Sequence, residues 1–279
     1  MNHPQQIHGH PVLGTLGHGA ASALYVVSDP ETRELLALKH VRATEASERR
    51  FLEQAEREHQ VGSKVTSPLV RRSRRLIRYR ELLRTTEIAL LLDFVDGQPL
   101  DESGRLPLWE NVAIFGEAAA ALAHLHELGW VHGDLKPGNL IRTGEGTATL
   151  IDLGQASMVG DSKSRIQGTP GFIAPEQLRR APLDPRTDAF LLGATIYRQL
   201  TGRYAAAGLD GTVSRPRLDR LVASAPEPLV DLVERCLSPN PVDRPSRLDA
   251  VAEDLAACAT TLRAAARRRK SREAVVGTA

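Results

Sequence analysis

The period of the apolar positions changes along the chain. Between residues 12 and 41 they come in short runs broken by turn residues: Leu24–Val27, then Ser28-Asp29-Pro30, then Leu35–Lys39. Runs of this length, the first with β-branched members, bounded by Gly, Asp and Pro, predict strand, glycine-rich turn, strand, turn, strand. Residues 44 to 65 are charged with one narrow apolar stripe, which predicts a helix ended by Ser67-Pro68. Ile88 to Val95 is apolar except at Asp93 and predicts a buried strand, and Asp96-Gly97-Gln98-Pro99 then breaks the pattern. Beyond it the spacing becomes helical. Val112–Leu128 is alanine-rich and closes at Gly129; Thr187–Leu200, Leu229–Leu237 and Leu248 to about Arg263 follow. Leu150–Leu153 predicts one more buried strand. The expected class is α+β, with a strand-rich first third carrying one main helix, a mostly helical remainder, and a boundary near residue 95.

Composition adds limits. A chain of 279 residues, 42% hydrophobic and 25% charged, can bury one large core or two lobes sharing a cleft. A formal net charge of +2 gives no bulk argument for a nucleic-acid partner. Cys236 and Cys258 lie outside any ligand spacing. The expectation is two buried thiols in a reducing, cytoplasmic setting, without disulfide or zinc. No apolar run approaches the length of about 18 residues that suggests a membrane span. Residues 1–11 lack the regions of a signal peptide. They read as a flexible lead-in, its His3, His8 and His10 solvated rather than ligating. Residues 263–279 turn basic and read as a tail, a fraying helix with a disordered end. Arg71, Arg72, Arg74, Arg75, Arg78 and Arg80 form one basic patch, and Arg267-Arg268-Arg269-Lys270 another. Both read as solvated faces, and with only Tyr79 nearby, stacking on nucleic-acid bases is not indicated.

Lysine is scarce: only five of the 36 basic residues are Lys. A lysine at a chemically demanding position therefore carries weight, because a compact ammonium is not interchangeable with guanidinium. Gly17-x-Gly19-x-x-Ser22-x-Leu24 is a glycine-rich turn whose backbone N–H groups could approach phosphate oxygens. Ala37-Leu38-Lys39 ends the third strand of this region. Glu58, with Val61 and Val65 at i+3 and i+7, faces the buried stripe of the following helix and could pair with Lys39. Glu53 and Glu56 are rivals for that role. The densest cluster is His132-Gly133-Asp134-Leu135-Lys136-Pro137-Gly138-Asn139-Leu140-Ile141. It offers an acid to orient a hydroxyl, a lysine to steady a phosphoryl group and an amide to hold a divalent metal. Ile151-Asp152-Leu153-Gly154 then delivers a second acid to metal.

With these residues in this order, the chain resembles a eukaryotic-type (Hanks-type) serine/threonine protein kinase, and its Ala/Arg/Leu-rich, lysine-poor composition suggests a bacterial one. The resemblance covers about residues 12–260. It continues through Gly168-Thr169-Pro170-Gly171-Phe172-Ile173-Ala174-Pro175-Glu176, then Asp188, and Arg244 in Asn240-Pro-Val-Asp-Arg-Pro. It implies a bilobal kinase domain over 12–262, with a small β-rich N-lobe at 12–95 and a larger helical C-lobe at 96–262. Lys39 would grip the nucleotide phosphates and Glu58 would orient Lys39. Asp134 would be the catalytic Asp, Lys136 would touch the γ-phosphate, and Asn139 and Asp152 would bind magnesium. ATP would be bound by Leu16, Gly17, Gly19, Ser22, Leu24, Ala37 and Ile141, with Leu24, Ala37 and Ile141 sandwiching the adenine, Leu92 as gatekeeper and Asp93 to Val95 as hinge. Asp188 would brace the catalytic loop and Arg244 would pair with Glu176. The implied cofactors are ATP and Mg2+, with Mn2+ as an alternative metal. The implied partners are proteins bearing Ser or Thr acceptors, and a second copy for autophosphorylation. The alternatives are a small-molecule phosphotransferase of the same superfamily and a catalytically silent scaffold.

The chain departs from the family at several points. Gly133 replaces the usual Arg, removing the common cation partner of a phosphorylated activation loop. Ser22 replaces the third loop glycine, and Leu153 the usual Phe. Gly62 offers little side chain to meet Leu153, which raises the expectation of a loosened helix.

Overall fold

The computed structural model describes residues 4–81, 84–205 and 215–276. The chain forms two compact units. One comprises the residues up to Asp96 together with Ile151–Ala156; the other comprises Gly97–Leu150 and the chain from Ser157 onward. The boundary falls beside the Asp96-Gly97-Gln98-Pro99 breaker, and the first unit also recruits the segment around Asp152.

The first unit contains β1 (Gln6–Ile7), β2 (His10–His18), β3 (Ser22–Ser28), β4 (Leu35–Arg42), α1 (Arg49–Gly62), β5 (Ser73–Glu81) and β6 (Arg84–Asp93). The strands make one antiparallel sheet in the order β1-β2-β3-β4-β6-β5. Alternation along β4 sends its side chains to two separate cores. Leu36 and Leu38 join Ile7, Val12, Val27, Ala89 and Leu91 on one face. Ala37 and Val41 join Leu52, Ala55, Ile88, Leu90 and Leu92 against α1 on the other. Lys39 thus shares the face of α1, whereas His40 faces the opposite way.

Three expectations need correction here. Residues 1–11 are not simply a flexible lead-in: β1 pairs with β2, Gln6 opposite Pro11, and Ile7 is buried. His3 lies outside the described residues. The Arg71–Arg80 patch is not just a solvated face. Ser73–Glu81 is an edge strand, where arginines guard an otherwise unpaired rim while Leu76 and Ile77 pack inward. Arg78 donates to Glu56 at 2.7 Å, and Arg74 pairs with both Glu34 and Asp93. Finally, α1 starts at Arg49, not at 44, because the Glu48 carboxylate accepts from the backbone N–H groups of Thr44 (2.8 Å) and Glu45 (3.2 Å) and locks a turn there.

The second unit contains β7 (Gln98–Pro99), α2 (Leu108–Glu127), β8 (Trp130–Val131), β9 (Leu140–Gly144), β10 (Thr147–Leu150), β11 (Ser157–Met158), α3 (Pro175–Leu178), α4 (Pro185–Thr201), α5 (Glu227–Cys236) and α6 (Leu248–Val276). The strands form a β10-β9-β7 sheet and a β8–β11 pair. The strand expected at Leu150–Leu153 stops at Leu150, since Asp152 takes a left-handed conformation (φ 62°) that no ladder accommodates. The stretch from residue 263, expected to fray and then disorder, is helix as far as Val276. That stretch of α6 is rich in Ala and Arg, has no Gly or Pro, and continues the helix; residues 277–279 lie outside the described residues. No helix among the described residues is long and apolar enough to cross a membrane.

Helix α4 approaches α5 at Gly193, where a Cβ would lie 2.7 Å from Cys236 Cβ and 3.1 Å from Leu237 Cγ. Neither neighbour is the end of a flexible chain. Gly193→Val is expected to lower unfolding stability by about 1–3 kcal/mol, the range for overpacking a filled core. Denaturant unfolding of the variant beside the wild type measures this; an unchanged midpoint would mean the helices separate without cost.

Candidate active site

In the first unit, Lys39 projects from β4 toward α1. Its Nζ donates to Glu58 Oε2 at 2.7 Å and lies 3.3 Å from Asp152 Oδ1. The spacing of Leu52, Ala55, Glu58 and Val61 puts Glu58 on the buried stripe of α1, and its side chain is only 2% exposed. A carboxylate so placed requires partners. It has two, because Arg71 Nη2 donates to Glu58 Oε1 at 3.1 Å. Of the rivals, Glu53 is exposed and Glu56 serves Arg78 at the surface. Burial disfavours the Lys39 ammonium, but the Asp152 and Glu58 carboxylates outweigh that penalty and hold its pKa above the usual lysine value.

Sequence reasoning placed Arg71 in a solvated patch. It is instead buried and is the second cation on Glu58. Neither its spacing nor its run of arginine neighbours signalled this; a buried carboxylate needing a second partner was the available clue.

Asp152 sits at φ 62° and ψ 77°, a conformation an Asp tolerates better than most residues, and accepts from Gly154 N–H at 3.4 Å. A Cβ on Gly154 would crowd Gln54 Cβ and Asp152 Oδ1, both at 3.3 Å. The turn is thereby seated directly on α1. Gly62 does not loosen that helix. A Cβ there would lie 3.0 Å from Ser73 Cβ and 3.6 Å from Leu153 Cδ1, so the missing side chain is what lets β5 and Leu153 come close.

The glycine-rich turn is tight: Gly19 N–H donates to Ser22 O at 2.7 Å, and a Cβ on Gly19 would meet Ser22 Oγ at 2.6 Å. A Cβ on Gly17 would meet nothing within 4 Å, so its backbone is open to a ligand. Leu24 stands opposite Lys39, and Ala37 opposite Leu92; Leu16 is exposed. Asp93 N–H already donates to Arg72 O at 3.0 Å, which leaves the Asp93 carbonyl, not its N–H, for recognition. Val95 follows three residues after Leu92, within this unit.

In the second unit, the loop between β8 and β9 is hung on Asp188, fully buried near the start of α4. Its Oδ2 accepts from His132 N–H at 2.8 Å and lies 2.8 Å from His126 Nε2, while Oδ1 accepts from Gly133 N–H at 2.9 Å. Burial pushes the Asp188 carboxyl up, but these donors, with the nearby histidines, hold it below the usual aspartate range.

The loop so held presents Asp134, Lys136 and Asn139 together. Thr169 donates its hydroxyl to Asp134 Oδ1 at 2.8 Å, Lys136 Nζ donates to Thr169 Oγ1 at 2.9 Å, and Lys136 Nζ lies 3.6 Å from Asp134 Oδ2. Asn139 Nδ2 donates to Asp134 O at 2.8 Å, leaving Oδ1 as its acceptor. Ile141 lies on β9 opposite Thr149 and Pro99. Gly133 is left-handed (φ 76°), and its carbonyl accepts from Gln177 Nε2 at 2.8 Å. Gln177, which the sequence reading passed over, is itself fixed by accepting from Ala174 N–H at 2.9 Å. Beneath α3, Arg244 grips Glu176 with two bonds, 2.7 and 3.0 Å, as the sequence led one to expect.

In one unit a lysine is held by a buried glutamate and an acid is delivered by a turn ending in glycine; in the other a His-Gly-Asp loop is braced from a helix. The chain belongs to the protein kinase domain family, whose signature matches residues 11–256. It is 32% identical over 258 residues to the serine/threonine-protein kinase PkaA of Streptomyces coelicolor, aligning 83% of this chain with 46% of that protein. It is 34% identical over 164 residues to PknK of Mycobacterium tuberculosis, aligning 54% of this chain with 15% of that one. The chain therefore spans less than half the length of these relatives. The crystal structure of a double mutant of the Mycobacterium tuberculosis PknI kinase domain shares the fold, with a TM-score of 0.72 at 24% identity, covering 93% of this chain and 100% of that chain.

Asp188→Asn would turn an amide N–H toward existing donors and remove a buried charge. The expected loss is about 3–5 kcal/mol near neutral pH, the range for breaking one side of a buried ion pair. Because folding depresses this carboxyl, its contribution is complete above the ordinary aspartate pKa of about 3.9 and fades as the pH falls through the lower folded value. The gap between wild type and variant, measured by denaturant unfolding, should narrow on acidification below about pH 4. A gap independent of pH would exclude the charge as its source.

Proposed function

We propose that this domain transfers the γ-phosphoryl group of ATP to serine and threonine hydroxyls of proteins, its own chain included. The observation that carries the reading is the Thr169 hydroxyl, bonded to Asp134 Oδ1 and to Lys136 Nζ at once. It demonstrates that a threonine hydroxyl fits this pair of groups. In the reaction, Asp134 orients the acceptor hydroxyl and takes its proton. The acceptor oxygen bonds to the γ-phosphorus as the bond from that phosphorus to the β–γ bridging oxygen breaks, and ADP leaves. Lys136 stabilises charge on the moving group. Lys39, kept in place by Glu58, binds the nucleotide phosphates, and the open backbone at Gly17 covers them.

Asn139 Oδ1 and the Asp152 carboxylate are hard oxygen donors suited to Mg2+, and Mn2+ fits the same donor set. A bound Mg2+ would neutralise phosphate charge. Leu24, Ala37 and Ile141 would contact adenine, with the Asp93–Val95 segment as hinge. A cytoplasmic signalling role, self-association for autophosphorylation and freedom from membranes fit this reading.

Labelled ATP, Mg2+ and a basic acceptor protein test it. Transfer to Ser and Thr should fall by about 10²–10⁴-fold in Asp134→Asn, the range for losing a general base, and comparably in Lys39→Met. Tight ATP binding without transfer in the wild type would overturn the proposal.

Gly133 supplies no guanidinium for a loop phosphate, and its carbonyl is held by Gln177 instead. Activity should accordingly not require activation-loop phosphorylation. Phosphatase-treated and autophosphorylated enzyme are expected to work at equal rates; a large loss on dephosphorylation would refute this.

A further inference from the structure

On the face of the sheet opposite Lys39, three side chains from distant parts of the chain converge. His8 Nε2 lies 2.7 Å from Glu87 Oε1, and His40 Nε2 lies 2.7 Å from the same oxygen. Among the described residues this is the one group of three His, Cys, Asp or Glu side chains whose ligand atoms all fall within 4.8 Å of one another. All three belong to the first unit, and none belongs to the phosphotransfer machinery.

We propose that His8, His40 and Glu87 form a binding site for a borderline divalent transition metal, with Zn2+ as the natural occupant, that fastens the N-terminal hairpin to the sheet. Two imidazoles and one carboxylate are a zinc donor set that leaves a fourth position for water. Ligand atoms around a tetrahedral zinc with bonds near 2.1 Å stand about 3.4 Å apart, so each nitrogen need retreat from Oε1 by well under 1 Å.

Three independent features favour a ligand here. First, His40 Nε2 is buried and, despite its closeness to Glu87, is not aligned for a hydrogen bond, which leaves a buried nitrogen unsatisfied. Second, His8 and Gly9, both at positive φ (50° and 81°), are the two loop residues of the β1–β2 hairpin, and this turn fixes where the His8 ring lies. Here the geometry turns the His8 ring flat against Tyr79, 3.8 Å between centroids, and edge-on to His40. His10 Nδ1 lies 3.1 Å from the His8 carbonyl and helps fix that turn. Third, Arg42 Nε donates to Glu87 Oε2 at 2.8 Å. This contact orients the carboxylate and occupies its outer oxygen, so Oε1 remains for the metal.

Metal binding would release any proton shared between the imidazoles and Glu87. Because β1 covers the Ile7–Val12 core, the metal would stabilise the hairpin, and by mass action the whole unit.

The test titrates Zn2+ into the chelator-stripped full chain by calorimetry, with Mg2+ in excess to mask oxygen-donor sites, and follows the visible absorption of Co2+ as a geometric probe. One equivalent should bind, the melting temperature should rise, and Co2+ should show a tetrahedral spectrum. His40→Gln and Glu87→Gln should each weaken binding by about tenfold or more, the lower end of losses seen even for outer-sphere partners. His8→Asn tolerates the left-handed turn, so it reports ligation should either strand variant fail to fold. No stoichiometric binding, or binding unchanged in His8→Asn, would overturn the proposal and assign any bound metal to other residues.

Discussion

The Glu58 carboxylate lies almost wholly out of water, and the first unit is arranged around keeping it neutralised. Lys39 reaches it from β4, Arg71 reaches it from the approach to β5, and α1 carries it on the buried stripe. Losing one partner of such a group costs about 3–5 kcal/mol, so strand, helix and connecting segment are held in mutual register. The same ammonium touches Asp152, which ties the Asp-Leu-Gly turn into the unit although it lies far along the chain. Having two cations means Glu58 does not depend on Lys39 alone. Arg71 carries part of the neutralisation, so Lys39 can share its charge with Asp152 and with nucleotide phosphates.

The second unit solves the same problem with backbone donors in place of side-chain cations. Asp188 is a buried anion satisfied chiefly by backbone N–H groups, and those groups belong to the loop that bears Asp134. The geometry of the reactive loop is therefore a by-product of satisfying an anion behind it. Arg244 plays the complementary part as a buried cation. It spends its donors on Glu176 and on the carbonyls of Arg186, Ser238 and Pro239, with Phe190 beneath its guanidinium. A planar fork of donors can join that many acceptors at once, which a lysine could not.

Glycine marks the closest approaches. Gly62, Gly154 and Gly193 each stand where a methyl group would strike a neighbouring element, and Gly133 stands where the backbone turns left-handed. At Gly133 the family's arginine is absent, and the local polar link is made through the backbone carbonyl and Gln177. The link depends on no charge, which is consistent with a loop that does not wait for phosphate.

The residues alone determined the order of the chemistry and most of the helices. The contacts of Lys39 with Glu58 and Asp152, and the clustering of Asp134, Lys136 and Asn139, were legible because the proposed phosphoryl transfer restricts residue type and spacing within short segments. The burial of Glu58 was legible from its i+3 relation to Val61. Only the tertiary structure decided the fate of Arg71, of the arginine-rich edge strand, and of the His8 turn. Each depends on a partner outside its own segment, 13 residues away for Arg71 and Glu58 and 79 for His8 and Glu87, and local periodicity carries no information about which other group will need a charge, an edge or a ligand. The tail past Arg263 was legible only in part: its charge suggested a fraying end, whereas its Ala and Arg content without a breaker sustains a helix. Sequence spacing could propose that a carboxylate lay inside, but the identity of what neutralises it is a property of the folded chain.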